Sequence, residues 1–313
     1  MSHIVTITFS PCIDKSTSVS YLSPDIKMNC IAPKEEPGGG GINVARAIHK
    51  LGGDAMALYV SGGCTGKKFD QLLKDENIPA LIIPVLRETR ENIIIVDESN
   101  QQQYRFGMPQ TPLSMDEWNQ FLTKLHEINE LKYIIVSGSL APGVPNSVFE
   151  KISAISKEKK AKLVVDTKGD ALRYALDSGV FLIKPNLGEL SALAGKKELH
   201  TDEIKDVART IIDKGKCEVV VVSMGAEGAM LVTSDLAKQI KPPLVERKST
   251  VGAGDSMVAG IVYSLYNEKN FTDAIRYGVA CGTAATLNPG TELCRKEDVE
   301  KLTPIVEVID LEG

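Results

Sequence analysis

Short apolar runs alternate with segments of helical periodicity along most of this chain. Continuous apolar runs predict strands covered on both faces, at 4–9, 55–60, 133–137, 163–166, 181–184 and 219–223. Apolar residues at helical spacing predict helices at 42–51, 67–76, 115–130, 145–160, 187–195, 202–215 and 258–266. Alternating strands and helices indicate an α/β fold with a mainly parallel sheet.

Two stretches depart from this alternation. Residues 16–32 are mostly polar, with apolar side chains at recurring spacings. The pattern of residues 92–106 predicts two short strands around a turn at 98–101. Both patterns are typical of half-exposed antiparallel strands. We therefore expect a small second sheet that serves as a lid or as a dimerisation surface.

Composition and charge narrow the class of protein. The chain has 313 residues, 43% hydrophobic and 25% charged, with a formal net charge of −5. These values exclude a disordered chain and argue against a nucleic-acid-binding face. The six cysteines form no C-x-x-C pair, and neither a signal peptide nor an apolar run of about 18 residues is evident. We expect a cytoplasmic protein that binds neither nucleic acid nor membrane.

Four consecutive glycines, at 38–41, directly precede the predicted helix that begins near Ile42. Glycine allows positive φ and a close approach of the backbone to a ligand, and a helix N-terminus offers unpaired N–H groups. This pattern favours a site for an anion or for sugar hydroxyls. A flexible loop before a helix is the alternative.

A second glycine pattern lies at 250–257, where Gly252 and Gly254 precede another predicted helix. The N–H groups of that first helical turn could stabilise charge on a transferred phosphoryl group. Asp255 would then lie among the donors and could accept a proton from an attacking hydroxyl. A simple helix cap by Asp255 explains the spacing equally well.

Three further segments follow predicted strands. Lys184 could meet a phosphate, and Asn186 and Glu189 are spaced to hold Mg²⁺ through water, although a surface turn with a helix cap is an alternative. The turns at 223–228 and 137–143 could receive a nucleotide at the carboxyl ends of parallel strands. Neither a Walker A loop nor a G-x-G-x-x-G follows a predicted strand with the required spacing.

Together these motifs resemble the ribokinase-like, PfkB-type carbohydrate kinases over essentially the whole chain. The resemblance rests on the glycine-rich motif at 37–48 and the motif at 249–257, supported by 89–92, 103–106, 137–144, 184–193 and 284–291. It implies one three-layer α/β domain over 1–313, with a β-sheet lid from about 14–34 and 90–107. It also implies ATP-dependent phosphorylation of a sugar phosphate, with Mg²⁺ and with K⁺ as a further expected ion.

The resemblance also assigns residues to roles. Asp255 corresponds to the catalytic base, and Gly252, Ala253 and Gly254 to the anion hole. Sugar-phosphate contacts correspond to Asp14, Lys27, Gly39, Gly40, Asn43, Arg90 and Ser139. Nucleotide contacts correspond to Lys184, Asn186, Ser223, Gly225, Gly228, Thr250 and Asn288. Glu189 corresponds to the magnesium-associated acid, and a monovalent-cation loop corresponds to Ser249, Val251, Ala285, Asn288 and Gly290.

The acceptor remains a choice among related sugar phosphates. Gly40 stands where kinases of tagatose 6-phosphate and fructose 1-phosphate typically have lysine, so the resemblance favours fructose 6-phosphate. Asn29 departs from the arginine expected near the phosphate. A non-catalytic sugar-phosphate sensor would need a damaged base or anion hole, and both are intact. The resemblance further implies a homodimer formed through the lid.

Overall fold

A computed structural model describes residues 2–311. The strands are β1 Ile4–Thr8, β2 Cys12–Val19, β3 Lys34–Gly38, β4 Met56–Ser61, β5 Ala80–Pro84, β6 Arg90–Asp97, β7 Gln102–Phe106, β8 Tyr133–Ser137, β9 Lys162–Asp166, β10 Val180–Ile183, β11 Cys217–Ser223, β12 Ala229–Val232, β13 Ala237–Lys241 and β14 Glu307–Asp310. The helices are α1 Gly40–Lys50, α2 Gly63–Asp75, α3 Met115–Glu127, α4 Val148–Glu158, α5 Gly169–Ser178, α6 Leu187–Leu193, α7 Ile204–Asp213, α8 Ala253–Tyr266, α9 Phe271–Thr286 and α10 Lys296–Leu302.

The large sheet is mainly parallel, as the apolar runs predict. Its strands follow the order β14-β13-β12-β11-β10-β9-β8-β1-β4-β5. The segment from β11 to β5 pairs in parallel, whereas β12, β13 and β14 add antiparallel strands at one edge. The carboxyl ends of the parallel strands therefore meet along one rim, where ligands bind in open α/β sheets.

Two hydrophobic clusters cover the two faces of this sheet. One packs α1, α2, α8, α9 and α10 against side chains such as Ile4 and Val221. The other packs α3 to α7 against neighbours that point the opposite way, such as Val5 and Val220. Successive strand residues thus enter opposite cores, which explains why the runs are continuously apolar. The result is the expected three-layer arrangement.

The small sheet has the order β3-β2-β6-β7. Its outer pairs are antiparallel, as predicted, but β2 and β6 pair in parallel from Cys12 opposite Arg90 to Val19 opposite Asp97. The sequence boundaries are corrected as well. β2 begins at Cys12, no strand covers 20–33, and β3 begins only at Lys34. Lys27 therefore lies on an exposed connection rather than within the sheet.

A buried ionic network ties the small sheet to the body of the protein. Arg46 of α1 donates through Nε and Nη2 to the carboxylate of Glu76, at 2.8 and 2.6 Å, and through Nη1 to the carbonyl of Pro37. Glu36 of β3 lies 3.5 Å from Arg46 Nη2 and accepts a 2.6 Å hydrogen bond from Thr291 Oγ1. Because Arg46 and Glu36 are both buried, this pairing fixes where β3 meets α1.

The remaining composition-based expectations concern cysteines and membranes. All six cysteines are free thiols. None of the helices formed by residues 2–311 combines the length and apolar character that a membrane crossing requires.

Candidate active site

Asp255 lies where three separate elements converge. It is the third residue of α8, and Gly252 before the helix adopts a left-handed conformation with φ of 73°. Its Oδ2 accepts a 2.9 Å hydrogen bond from Asn43 Nδ2 of α1, and its Oδ1 accepts a 3.3 Å bond from Ser137 Oγ at the end of β8. The carboxylate is therefore held toward the rim of the sheet, and it does not act as a simple helix cap.

The surroundings favour a base that works near neutral pH. Burial, together with the negative charge of Asp166, raises the pKa of Asp255 to about 6. The donors Asn43 and Ser137 and the nearby ammonium of Lys184 act in the opposite direction and favour the carboxylate. A carboxyl with this pKa is mostly ionised at pH 7 and still basic enough to accept a proton.

A buried ion pair lies beside the base. Lys184 Nζ is 3.2 Å from Asp166 Oδ1, and both side chains are largely shielded from solvent. Burial favours the neutral amine of Lys184, but the Asp166 carboxylate outweighs it, so the pKa of Lys184 lies above its ordinary value. Lys184 is thus a fixed positive charge near the start of α8, as close as 3.6 Å to the position a Cβ on Gly254 would take.

The N-terminus of α8 provides the second element of an anion site. The first N–H groups of an α-helix have no intrahelical acceptor, and the helix dipole adds partial positive charge there. With no side chains at Gly252 and Gly254, a phosphoryl group could approach this backbone closely. The geometry therefore fits the predicted anion hole at 252–254.

The residues that the resemblance assigns to the sugar include Asp14 on β2 and Gly39 just before α1. Asp14 of β2 is buried and accepts a 2.9 Å hydrogen bond from Asn92 Nδ2 and a 3.4 Å bond from Cys12 Sγ. Burial raises the pKa of Asp14 despite these donors. Gly39, with φ of 113°, lies between β3 and α1 and brings the backbone close to Thr8 and Pro11. The glycine-rich segment is thus an ordered part of the site.

Arg90 begins β6 and is held by neutral oxygens only. Its Nη1 donates to Asn92 Oδ1 at 3.3 Å and to the carbonyl of Met108 at 3.2 Å, and its Nη2 donates to the carbonyl of Ser10 at 3.4 Å. Its Nε is buried and has no hydrogen-bond partner. A half-buried guanidinium with a spare donor fits an anionic ligand such as a sugar phosphate.

An adjoining cleft of about 280 Å³ lies between the carboxyl end of β11 and the start of α8. It brings together several predicted nucleotide and anion-hole residues: Ser223, Gly225, Gly228, Thr250, Ala253 and Gly254. Much of the remaining wall is formed by the segment 242–247, with Arg247, and by Thr283 and Thr286 of α9. Sequence reasoning missed these parts because they carry no glycine or charge pattern of their own.

Other predicted residues lie outside this cleft. Asn186 and Glu189 form a reciprocal helix cap, in which each side chain accepts from the other's backbone N–H at 2.8 and 2.9 Å. The alternative of a helix cap is therefore confirmed in the structure. Ser139 lies half-buried two residues beyond β8, and Lys27 and Asn29 are exposed.

The residues of the predicted cation loop converge. Ser249 Oγ donates to the carbonyl of Gly290 at 2.6 Å and accepts from Val251 N–H at 3.2 Å. Asn288 directs its amide to the carbonyls of Ala284 and Leu293, so its side chain holds the loop. The backbone N–H of Asn288 donates to the carbonyl of Ala285.

Two residues beside Asp255 were not predicted to lie there: the sequence placed Ser137 in a possible nucleotide turn and gave Asp166 no role. Each ends an apolar strand, β8 or β9, and the two are paired in register. A polar residue at the carboxyl end of a parallel strand was the available signal.

A carboxylate held beside an open helix N-terminus and next to a cleft, on a three-layer α/β fold, is the arrangement of a phosphotransferase of the carbohydrate-kinase class. The model of the pfkB family carbohydrate kinases matches residues 5–298. The chain is 41% identical over 303 residues to the ATP-dependent 6-phosphofructokinase isozyme 2 of Escherichia coli, covering 96% of this chain and 98% of that protein. It is 30% identical over 308 residues to the 1-phosphofructokinase of Bacillus subtilis, covering 98% of this chain and all of that protein.

Solved structures of Escherichia coli phosphofructokinase-2 have the same fold as this chain. The complex with substrates and products superposes with a TM-score of 0.93 at 41% identity, covering 97% of this chain and 99% of that one. The complex with potassium superposes with a TM-score of 0.94 at 41% identity. The tetrameric inhibited form superposes with a TM-score of 0.92 at 40% identity, and both structures have the same coverages as the first. This chain belongs to the pfkB family of carbohydrate kinases.

Proposed function

We propose that this protein is an ATP-dependent 6-phosphofructokinase, which transfers a phosphoryl group from ATP to a hydroxyl of fructose 6-phosphate. The observation that carries the proposal is that Asp255 contacts the helix after the glycine-rich segment and also adjoins the cleft. It accepts from Asn43 of α1 and directly follows Gly254, which lines the cleft. Asp14 and Arg90 share Asn92 as a hydrogen-bond partner. The named 6-phosphofructokinase relative supports the same reaction.

The proposed mechanism assigns one task to each group. Asp255 accepts the proton of the attacking hydroxyl, and the N–H groups at the start of α8, with Lys184, stabilise charge on the transferred phosphoryl group. Arg90 binds the phosphate already present on the sugar through its free Nε and its guanidinium edge. Asp14, Gly39, Gly40 and Asn43 position the sugar, with Ser139 and Lys27 near its phosphate. The small sheet excludes water when it closes over the sugar.

Bound ATP is proposed to lie in the cleft next to Ser223, Gly225, Gly228 and Thr250, with Lys184, Asn186 and Asn288 as nearby contacts. Within residues 2–311 no three His, Cys, Asp or Glu side chains form a metal cage. A single carboxylate, Glu189, together with ATP phosphates and water fits Mg²⁺, which keeps most of its water ligands in such sites. When bound, Mg²⁺ neutralises charge on the phosphates.

A monovalent cation is proposed for the loops at 249–251 and 285–290. The Ser249 hydroxyl and the Gly290 carbonyl lie within 2.6 Å of each other, and oxygen ligands of this type suit K⁺. The potassium complex of the Escherichia coli relative supports this assignment. Exchange of KCl for tetramethylammonium chloride at constant ionic strength should lower kcat.

Self-association through the small sheet is the proposed assembly. Its surroundings expose a group of apolar side chains, among them Ile31 at 62% and Phe106 at 48%. Ile31→Asp should shift the mass measured by light scattering toward the monomer, whereas Ile305→Asp, at a 60% exposed position on the turn after α10, should not. An unchanged mass in Ile31→Asp would contradict this assembly. A cytoplasmic location stays a prediction of the sequence.

The deciding experiment is a coupled ADP-release assay across a panel of sugar phosphates. We expect the highest kcat/KM with fructose 6-phosphate, and fructose 1-phosphate is the second candidate because of the 1-phosphofructokinase relative. Tagatose 6-phosphate completes the panel. If calorimetry detects sugar-phosphate binding but no panel member releases ADP, the protein is a sensor and the proposal is wrong.

A further inference from the structure

Ser137 contacts the base but has no role in the mechanism described so far. It is the last residue of β8 and only 4% exposed. Its hydroxyl donates to Asp255 Oδ1 at 3.3 Å, while Asn43 Nδ2 donates to Oδ2 at 2.9 Å. One donor on each oxygen fixes the plane of the carboxylate, which a single donor would leave free to rotate.

The position of this hydroxyl is itself fixed by close packing. A Cβ on Gly40 would lie 2.5 Å from Ser137 Oγ and 2.6 Å from the backbone nitrogen of Gly138. The first turn of α1 therefore packs directly against the end of β8, and this contact needs a residue without a side chain. Gly138 in turn donates its N–H to the carbonyl of Asp166 at 2.9 Å.

We propose that Ser137 is a positioning residue for phosphoryl transfer: its hydroxyl orients the Asp255 carboxylate toward the acceptor and keeps it ionised. The proposal rests on the proposed role of Asp255 as base. A donor on the ionised oxygen favours the charged form, so its loss shifts protonation of Asp255 to higher pH. Three other charged or titratable groups act on Asp255: Asp166 at the end of β9, Lys184 just after β10, and Cys12 at the start of β2.

The test compares the pH profiles of kcat/KM of the wild type and Ser137→Ala. The wild type should lose activity below pH of about 6, the pKa of Asp255. Loss of a hydrogen bond to a charged group should move this acid limb upward by about 1 pH unit. The ratio of wild-type to variant rate should then grow about eightfold between pH 9 and pH 5.5.

Ser61→Ala is the matched control. Ser61 ends β4 as Ser137 ends β8 and is buried to a similar degree, but it has no contact with the base. Its acid limb should stay in place. A structural loss common to buried strand-end serines would move or depress both profiles alike, and that result would overturn the proposal.

Gly40→Ala provides a second route to the same outcome. The added Cβ would lie 2.5 Å from the Ser137 hydroxyl and 2.6 Å from the Gly138 nitrogen, so it would displace the end of β8 and move the hydroxyl from Asp255, although the serine remains. Thermal melting identifies variants that fold, and folded Gly40→Ala should show the same upward shift. An unmoved limb in Ser137→Ala, with a wild-type limb near pH 6, refutes the inference about Ser137. If the wild type shows no loss of activity near pH 6, the proposed role of Asp255 as the base is refuted instead.

Discussion

Replacement of Asp255 by asparagine should abolish most activity and at the same time stabilise the fold. Asparagine has nearly the same shape, and its Oδ1 can still accept from Asn43 Nδ2. It cannot accept the proton of an attacking hydroxyl, so kcat should fall by about 10²–10⁴-fold. The stability gain follows because the wild type keeps a carboxylate ionised where burial and Asp166 oppose its charge.

The magnitude and sign follow from the two pKa values of this group. The pKa of Asp255 is 3.8 in the unfolded chain and about 6 in the folded protein. Between these two pH values the native state binds the proton more tightly than the unfolded chain does. Stability is therefore lost as pH rises through this window, and the full cost above pH 6 corresponds to about 3 kcal/mol. This is an upper value, because part of the carboxyl reaches solvent. Asp255→Asn removes the cost.

Urea unfolding at pH 8 and at pH 5 provides the measurement. The free energy of unfolding should rise by up to about 3 kcal/mol at pH 8, and by about half of that at pH 5, where the wild-type carboxyl is mostly protonated. Asp213→Asn, an exposed change of equal charge at the end of α7, should alter stability at neither pH. Equal gains at both pH values, or none at pH 8, would refute the electrostatic argument.

Three further predictions test other parts of the structure. Arg90→Ala should raise KM for the sugar phosphate by about tenfold or more and leave KM for ATP nearly unchanged, since the free Nε is proposed to bind the sugar phosphate. Arg87→Ala is the exposed control, and an effect of Arg90→Ala on KM for ATP alone would contradict the assignment. Gly228→Ala should raise KM for ATP and lower Tm, because Gly228 has φ of 85° and a Cβ there would collide with the carbonyl of Ile240. An unchanged Tm would show that the backbone around Gly228 adjusts without cost, contrary to this prediction. Thr291→Val should cost about 1–3 kcal/mol in urea unfolding at pH 7.5, because Glu36 Oε2 loses its buried donor. The pKa of Glu36 lies below its ordinary value, so the cost should shrink only as pH falls through that lowered pKa, and a cost that stays constant across the whole acid range would argue for packing alone.

The sequence predicted the central parallel strands well because each of them is buried on both faces, whereas the parallel edge strand β5, which is largely exposed, was missed. The residues of β8 were predicted without error, and most other central elements within a few positions. By contrast, α9 was missed. It packs against α8 through small residues, so that a Cβ on Gly260 would lie 2.5 Å from Cys281 Sγ. A helix that is buried on several sides and rich in small residues has little amphipathic contrast, and pattern reading depends on that contrast.

The candidate site shows a similar division. Asp255 was found because its neighbouring glycines mark a local motif. Its two hydrogen-bond donors lie 118 and 212 residues away along the chain, and only the packing of α1 and α8 against the end of β8 brings them together. The strands β12, β13 and β14 and the wall at 242–247 were missed for a related reason. Their sequences are short and mixed, and their positions depend on neighbours already in place.

The connections between the two sheets have a mechanical consequence. The chain passes between the small sheet and the body through residues 9–11, 39, 85–89 and 107–114, which are four short connections. Asp14 and Arg90 lie on strands of the small sheet, whereas Asn43 and Asp255 lie on helices that pack on the large sheet. A sugar phosphate that contacts all four residues would therefore bridge the two sheets and hold them together, whereas a nucleotide in the cleft between β11 and α8 would contact the large-sheet part alone.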